Sequence, residues 1–244
     1  MKRAFIIAAA GATAALVSAC NYRNHAEARD AGPAIDRTYQ VGAFDRIAVS
    51  GPYDVTVKTG GQPGVSARGG EAILAETEVI VENGELRIVP RKKRGIRWNW
   101  SKGGQVKMIV TVPAIREATI AGSGGIDIDR VTGGAFEGQV AGSGDLAIGA
   151  LDTTSAEFAI AGSGGVRASG KVAKLDVSIA GSGDVDLSAL TATDASVSIA
   201  GSGNVRARAT GTANVSIMGS GDVEMTGGAK CNVSKHGSGD VRCS

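Results

Sequence analysis

Aromatic side chains are nearly missing from this chain: two Trp, three Tyr and four Phe among 244 residues. A thick globular core normally leans on such side chains for buried area. The apolar content is Ala, Val and Ile instead, a mix that suits thin, regularly stacked β-structure. Proline is scarce at five residues, and histidine is rarer, with only His25 and His236. No Ser-His-Asp set and no metal-spaced cluster appears, so the sequence points to no catalytic residue, no metal and no cofactor. The net charge of +2 supplies no global field aimed at nucleic acid, which is not expected as a partner. The apolar run from Ala4 to Ala19 is shorter than the roughly 20 residues a membrane span needs.

That run reads as an export signal over residues 1–19. Lys2 and Arg3 precede it, and it ends in small residues at Val17, Ser18, Ala19 and Cys20. This ending resembles the bacterial lipobox, which implies that Cys20 becomes the lipidated first residue and ties the protein to a membrane. Asn21, rather than aspartate, follows it; by resemblance to Gram-negative sorting rules this favours an outer-membrane lipoprotein. Residues 20–38 read as a flexible tether, with mixed charges and no apolar period.

Glycine is what the chain has in excess, 37 residues, and it is periodic. Gly-Ser-Gly begins at Gly122, Gly142, Gly162, Gly181, Gly201, Gly219 and Gly237, in steps of 18 to 20 residues. A period of that size signals a solenoid. Two residues before each corner stand Ile120, Val140, Ile160, Ile179, Ile199 and Ile217. Four residues after its first glycine stand Ile126, Leu146, Val166, Val185, Val205, Val223 and Val241. Such period-two alternation buries one face of each strand. Each repeat is therefore a strand, a tight bend and another strand, and the apolar columns close a core only when rungs stack. The serines are expected to form a ladder, followed by a column of Asp145, Asp184, Asn204, Asp222 and Asp240 with Gly125 and Gly165 between.

The last repeat departs from the pattern. Lys235 takes the place held earlier by Ile or Val, and with His236 it reads as end-capping polarity. Cys231 and Cys243 flank Gly237 in the inward phase, a candidate disulfide; two buried thiols are the alternative. The N-terminal half carries fainter echoes, at Ile47–Gly51 with Asp54–Val57, and at Val106–Val112. Val79–Val81 and Leu86–Ile88, joined by Asn83-Gly84, read as a hairpin-like or corner-joined pair. These strands are expected to be the first, irregular rungs rather than a separate domain.

Phe44-Asp45-Arg46-Ile47 with Ser50-Gly51 and Asp54-Val55, the strand end Val110-Thr111-Val112-Pro113, and the serial Gly-Ser-Gly-Asp/Gly corners together resemble the GIN domain, a family described as an auto-transporter adhesin head. The resemblance covers residues 39–244. It implies an all-β, right-handed parallel β-helix (β-solenoid) with rungs of 18–20 residues in an exported bacterial protein, and it carries no catalytic residues.

One segment stands apart in charge. Arg91, Lys92, Lys93, Arg94, Arg97 and Lys102 surround both tryptophans, Trp98 and Trp100, with no acid among them; without residues 91–102 the net charge falls from +2 to −4. Cations with Trp suit anionic headgroups, lipopolysaccharide or an anionic glycan; a solvated loop is the plainer account. Asp222 and Asp240 sharing a cation is a weaker thought, because each corner carries one acid on a beat twice that of calcium-binding nonapeptides. The function expected is a non-catalytic envelope lipoprotein that binds or adheres to glycan, lipid or an envelope protein. The alternative is a polysaccharide lyase or hydrolase of β-helix type, using carboxylates such as Asp127, Asp129, Asp184 and Asp186.

Overall fold

A computed structural model describes residues 31–91 and 105–244. In chain order the first elements are β1 (Ala34–Tyr39), β2 (Arg46–Ser50), β3 (Tyr53–Thr59), β4 (Gly64–Gly70), a short helix α1 (Glu71–Ala75), β5 (Thr77–Glu82), β6 (Glu85–Pro90) and β7 (Val106–Val112). Then come β8 (Glu117–Gly122), β9 (Gly125–Gly142), β10 (Asp145–Gly162), β11 (Gly165–Gly181) and β12 (Asp184–Gly201). The last are β13 (Asn204–Ala209), β14 (Thr212–Gly219), β15 (Val223–Thr226), β16 (Lys230–Gly237) and β17 (Val241–Cys243). All seventeen strands belong to one sheet, wound as the right-handed parallel β-solenoid expected from the resemblance.

From β9 to β12 each strand wraps a whole rung. Gaps in the pairing with β9 at 149 and 154 divide β10 into three faces: face 1 at 145–148, face 2 at 150–153 and face 3 at 155–162. Neighbouring rungs pair in parallel with like residues opposite: Leu146 faces Val166 and Ile126, and Ile160 faces Ile179 and Val140. The face 3 column Val49, Ile120, Val140, Ile160, Ile179, Ile199 and Ile217 is at most 2% exposed throughout. Fully burying one such side chain contributes about 1.5–3 kcal/mol, so the columns supply most of what holds the stack together.

The corners explain the glycines. The first glycine of each has positive φ, from +126° at Gly142 to +142° at Gly201, a region that residues with a Cβ avoid. The second meets a packing limit. A Cβ on Gly183 would stand 2.6 Å from the Gly164 carbonyl oxygen and 2.7 Å from Ile160 Cγ2. The serines between them all point to solvent, and the ladder runs through backbone bonds: Ser163 N donates to Gly142 O at 2.8 Å, Ser182 N to Gly162 O at 2.8 Å and Ser202 N to Gly181 O at 2.9 Å.

The N-terminal strands share the solenoid sheet, but not as a simple series of opening rungs. β2 and β3 form a rung that stacks on β8 and β9, while β6 and β7 form another on its far side, so spatial order departs from chain order. β4 and β5 run antiparallel to β7 and β6, and β1 is antiparallel to β4. Asn83 and Gly84, both at positive φ, close β5 and β6 as a tight hairpin. Ile73 and Leu74 of α1 are buried over this end of the core. Beneath them Tyr53 Oη lies 3.1 Å from Thr77 Oγ1, which donates to Ile73 O at 2.9 Å. β1 also begins inside the stretch that composition assigns to the tether, because pairing with β4 satisfies its backbone.

The opposite end is open. Cys231 stacks on Ala213 and Cys243 on Met225, and the two are joined by a disulfide with Cα atoms 6.6 Å apart. Lys235 stacks on Ile217 and turns its ammonium to the Gly239 carbonyl, 2.6 Å away. Val233, inward in phase but with no rung beyond it, is 49% exposed.

Candidate functional site

Face 1 carries two outward columns that run the length of the stack. The first, beside the corners, passes from Asp54 through Gly125, Asp145, Gly165 and Asp184 to Asn204. Side chains bond along it. Asn204 Nδ2 donates to Asp184 at 2.9 Å, Asn204 Oδ1 accepts from Asp222 N at 3.2 Å, and Asp222 Oδ1 accepts from Asp240 N at 2.8 Å. These carboxylates hold backbone and neighbouring amide groups, the role Asp and Asn take in turns. Gly165 interrupts the column beside Asp145, whose Oδ1 lies 2.6 Å from where a Cβ would stand.

The second column is Thr56, Asp127, Ala147, Arg167, Asp186, Arg206, Glu224 and Arg242, in register rung by rung. From Arg167 onward its charge alternates in sign at each step of about 4.8 Å. Arg206 Nε lies 3.5 Å from Glu224 Oε2, while the guanidiniums of Arg167 and Arg242 donate no hydrogen bond to any described residue. Asp186 accepts from the hydroxyl and N–H of Ser188, and these bonds, with smaller help from Arg206 and Arg167, hold its carboxyl below the ordinary aspartate range.

The two columns line a trough of about 560 Å³, and a second depression of about 460 Å³ shares Ala147, Arg167 and Asp186 with it. Six carboxylates and three guanidiniums line the larger trough, so it is net acidic yet offers donors and acceptors side by side. Period-two alternation turns Asp186, Arg206 and Glu224 outward but does not by itself join them as a column. The signal was present: each residue of the alternating series lies five places after the first glycine of its corner.

The other sequence candidates fall as follows. Cys20 and the segment from Lys92 through Lys93, Arg94, Arg97, Trp98 and Trp100 to Lys102 lie outside the described residues. Arg91 is exposed, and its N–H donates to Glu76 O at 2.7 Å. Pro90 and Val106 bracket the segment in the rung beside Gly51 and Tyr53, where other rungs carry their Gly-Ser-Gly corner. Of the four carboxylates considered for lyase chemistry, Asp127, Asp129 and Asp186 line the second depression and Asp184 the first, and three of the four are held in hydrogen bonds within the fold. Asp129 accepts from Thr59 N at 3.0 Å and Thr59 Oγ1 at 2.9 Å, Asp184 is bonded to Asn204, and Asp186 is bonded to Ser188. Among the described residues no group of three or more His, Cys, Asp and Glu is arranged to hold a metal ion.

Two solved structures share this architecture. A protein from Bacteroides fragilis described as a putative adhesin matches with a TM-score of 0.79 and 21% identity, covering 88% of this chain and 100% of its own. A protein from Parabacteroides distasonis described as a putative lipid binding protein matches with a TM-score of 0.71 and 23% identity, covering 88% of this chain and 99% of its own. At these identities the likeness is one of fold. No curated protein matches the chain. The family model described as "Putative auto-transporter adhesin, head GIN domain" matches residues 43–229, and with its serial glycine corners and stacked aliphatic columns the chain belongs to that family.

Proposed function

We propose that this chain is a non-catalytic binding module of the bacterial cell envelope, tethered through lipid at Cys20 and presenting the outer faces of a stiff solenoid to a glycan, lipid or envelope protein. The observation that carries this is the regularity of face 1, where polar side chains recur in register on a rigid sheet. Binding constellations work best on such elements, because ordering costs are met in advance. The family's description as an adhesin head supports the reading, as do the adhesin and lipid-binding descriptions of proteins with the same fold. The carboxylates favour it over hydrolysis. A general acid needs a raised pKa, whereas Asp186, one of the carboxylates of the enzymatic alternative, is pushed down chiefly by its side-chain hydrogen bond from Ser188.

Ala31 and Arg91, the described residues that adjoin the tether and the basic segment in sequence, lie at the α1 end of the solenoid. Ala31 is buried there and Arg91 bonds to Glu76 there. A lipid-tethered chain would carry these cations and tryptophans next to its own membrane, where each Lys or Arg near an anionic surface contributes about 1 kcal/mol.

The test is capture of the chain bearing Cys20→Ser by native envelope fractions, with and without serine at Arg91, Lys92, Lys93, Arg94, Arg97, Trp98, Trp100 and Lys102. Retained wild-type binding that falls about tenfold in the variant is expected. Undiminished capture removes the segment from the account, and no capture of wild type removes the binding role. Incorporation of labelled fatty acid, abolished by Cys20→Ser, checks the anchor.

A further inference from the structure

We infer that the face 1 trough receives a linear, uncharged β-1,4-linked glycan lying along the solenoid axis; this deepens the binding-module reading and rests on it. Three features of the trough select that ligand.

The first is charge. With twice as many carboxylates as guanidiniums on its lining, the trough repels polyanions, so an acidic polysaccharide or a phosphate-rich lipid is disfavoured here. The second is donor and acceptor order. The guanidiniums of Arg167 and Arg242 have donors that no described residue uses, and acids stand one rung away from each arginine. A ligand that answers both must donate and accept at short intervals, as sugar hydroxyls and acetamido groups do.

The third is repeat. Arg167, Arg206 and Arg242 recur at every second rung, about 9.6 Å apart from two steps of 4.8 Å. A β-1,4-linked chain turns over at each sugar and presents the same edge once per disaccharide. Its extended form therefore meets the same side chain on alternate rungs. An α-1,4-linked chain curves and loses step after the first contacts. Face 1 presents no aromatic platform in these columns, so affinity must accumulate from hydrogen bonds repeated along the polymer.

Calorimetric titration of the Cys20→Ser chain distinguishes these cases. The probes are β-1,4-linked N-acetylglucosamine dimer and hexamer, α-1,4-linked glucose hexamer, and a β-1,4-linked uronate hexamer. The neutral β-linked hexamer is expected to bind about tenfold or more tighter than its dimer and than either other hexamer. Arg167→Gln with Arg242→Gln is expected to weaken it about tenfold while leaving circular dichroism unchanged, since both side chains are exposed. Lys171→Gln with Lys174→Gln, off this face, leaves it intact. Equal or tighter binding of the uronate or α-linked hexamer overturns the inference, as does an unaffected arginine double variant. If no hexamer binds while envelope fractions still capture the chain, this ligand assignment fails and the binding-module reading stands.

Discussion

Phe158 lies directly opposite Gly138 on the neighbouring rung, and its ring occupies the space that a side chain on that glycine would need. A Cβ at Gly138 would stand 2.8 Å from Phe158 Cδ1 and 2.7 Å from Leu146 Cδ2. Two pairs earlier, Phe136 faces Ala156, and the two rings sit 6.1 Å apart. Large and small residues thus alternate between rungs, so the rare aromatics fit without spreading the stack. Gly138→Ala is expected to cost about 1–3 kcal/mol by overpacking. Adding Phe158→Leu should return part of that loss, since the offending atoms are side-chain ends. Urea unfolding of the three variants measures this, and additive losses in the double variant would contradict it.

Corner glycines should tolerate still less. Gly201 combines φ +142° with a collision between any Cβ and the Gly181 backbone, which no rotamer change relieves. Gly201→Ala is expected to cost about 3 kcal/mol or more, adding backbone strain to overpacking. Gly134 has open space around it and no positive φ, so Gly134→Ala should stay within about 0.5 kcal/mol of wild type. Equal melting temperatures for the two variants would refute the distinction.

These contrasts also show what the sequence made legible. Period-two alternation around a repeated Gly-Ser-Gly fixes which of Ile160, Ile179 and Ile199 share a column, because a one-residue slip would turn every apolar side chain outward. Nothing comparable governs the first 80 described residues. There the strands are short, the turns differ, and β6 with β7 is inserted outside the β2–β3 rung. That is a long-range pairing decision that local pattern does not encode. The face 1 columns were readable by counting from each glycine, but their charges vary from rung to rung and look like ordinary solvent-facing residues until the register is known.

The Cys231–Cys243 bond closes a short loop on the rung that has only one neighbour. Chain-entropy arguments give a loop of this size about 3 kcal/mol. Reduction, or Cys231→Ser with Cys243→Ser, is expected to fray the last rung without unfolding the rest. Amide exchange should accelerate in β16 and β17 while β10 and β11 keep their protection. Uniform loss of protection would mean that the end rung and the core unfold as one unit.

Asp194 offers a pH test. Its carboxylate accepts from the Thr212 hydroxyl and N–H on the next rung, and these bonds lower its pKa. A depressed folded pKa means that this stabilisation is present above the unfolded value, near 4, and is lost as pH falls through the folded value. Asp194→Asn, which resembles the protonated form, should therefore be less stable than wild type at pH 7 and converge with it below about pH 4, flattening the acid decline. A wild-type acid profile in the variant would show that these bonds are not coupled to folding.

Lys235 decides whether the open end attracts another chain. It sits where the buried column of Ile199 and Ile217 would next place an aliphatic residue, beside the exposed Val233 and a strand edge with no partner among the described residues. Unpaired edges with apolar side chains recruit other chains, and an inward-pointing lysine is a common defence because burying its charge against a second copy is costly. Lys235→Ile removes that penalty and extends the apolar column to the end of the stack. The variant is expected to associate at micromolar concentrations, seen as a concentration-dependent shift in sedimentation, while Lys235→Arg stays like wild type. If Lys235→Ile sediments as wild type does across that range, protection of the end must come from elsewhere in the rung, with the disulfide across Cys231 and Cys243 the next group to remove.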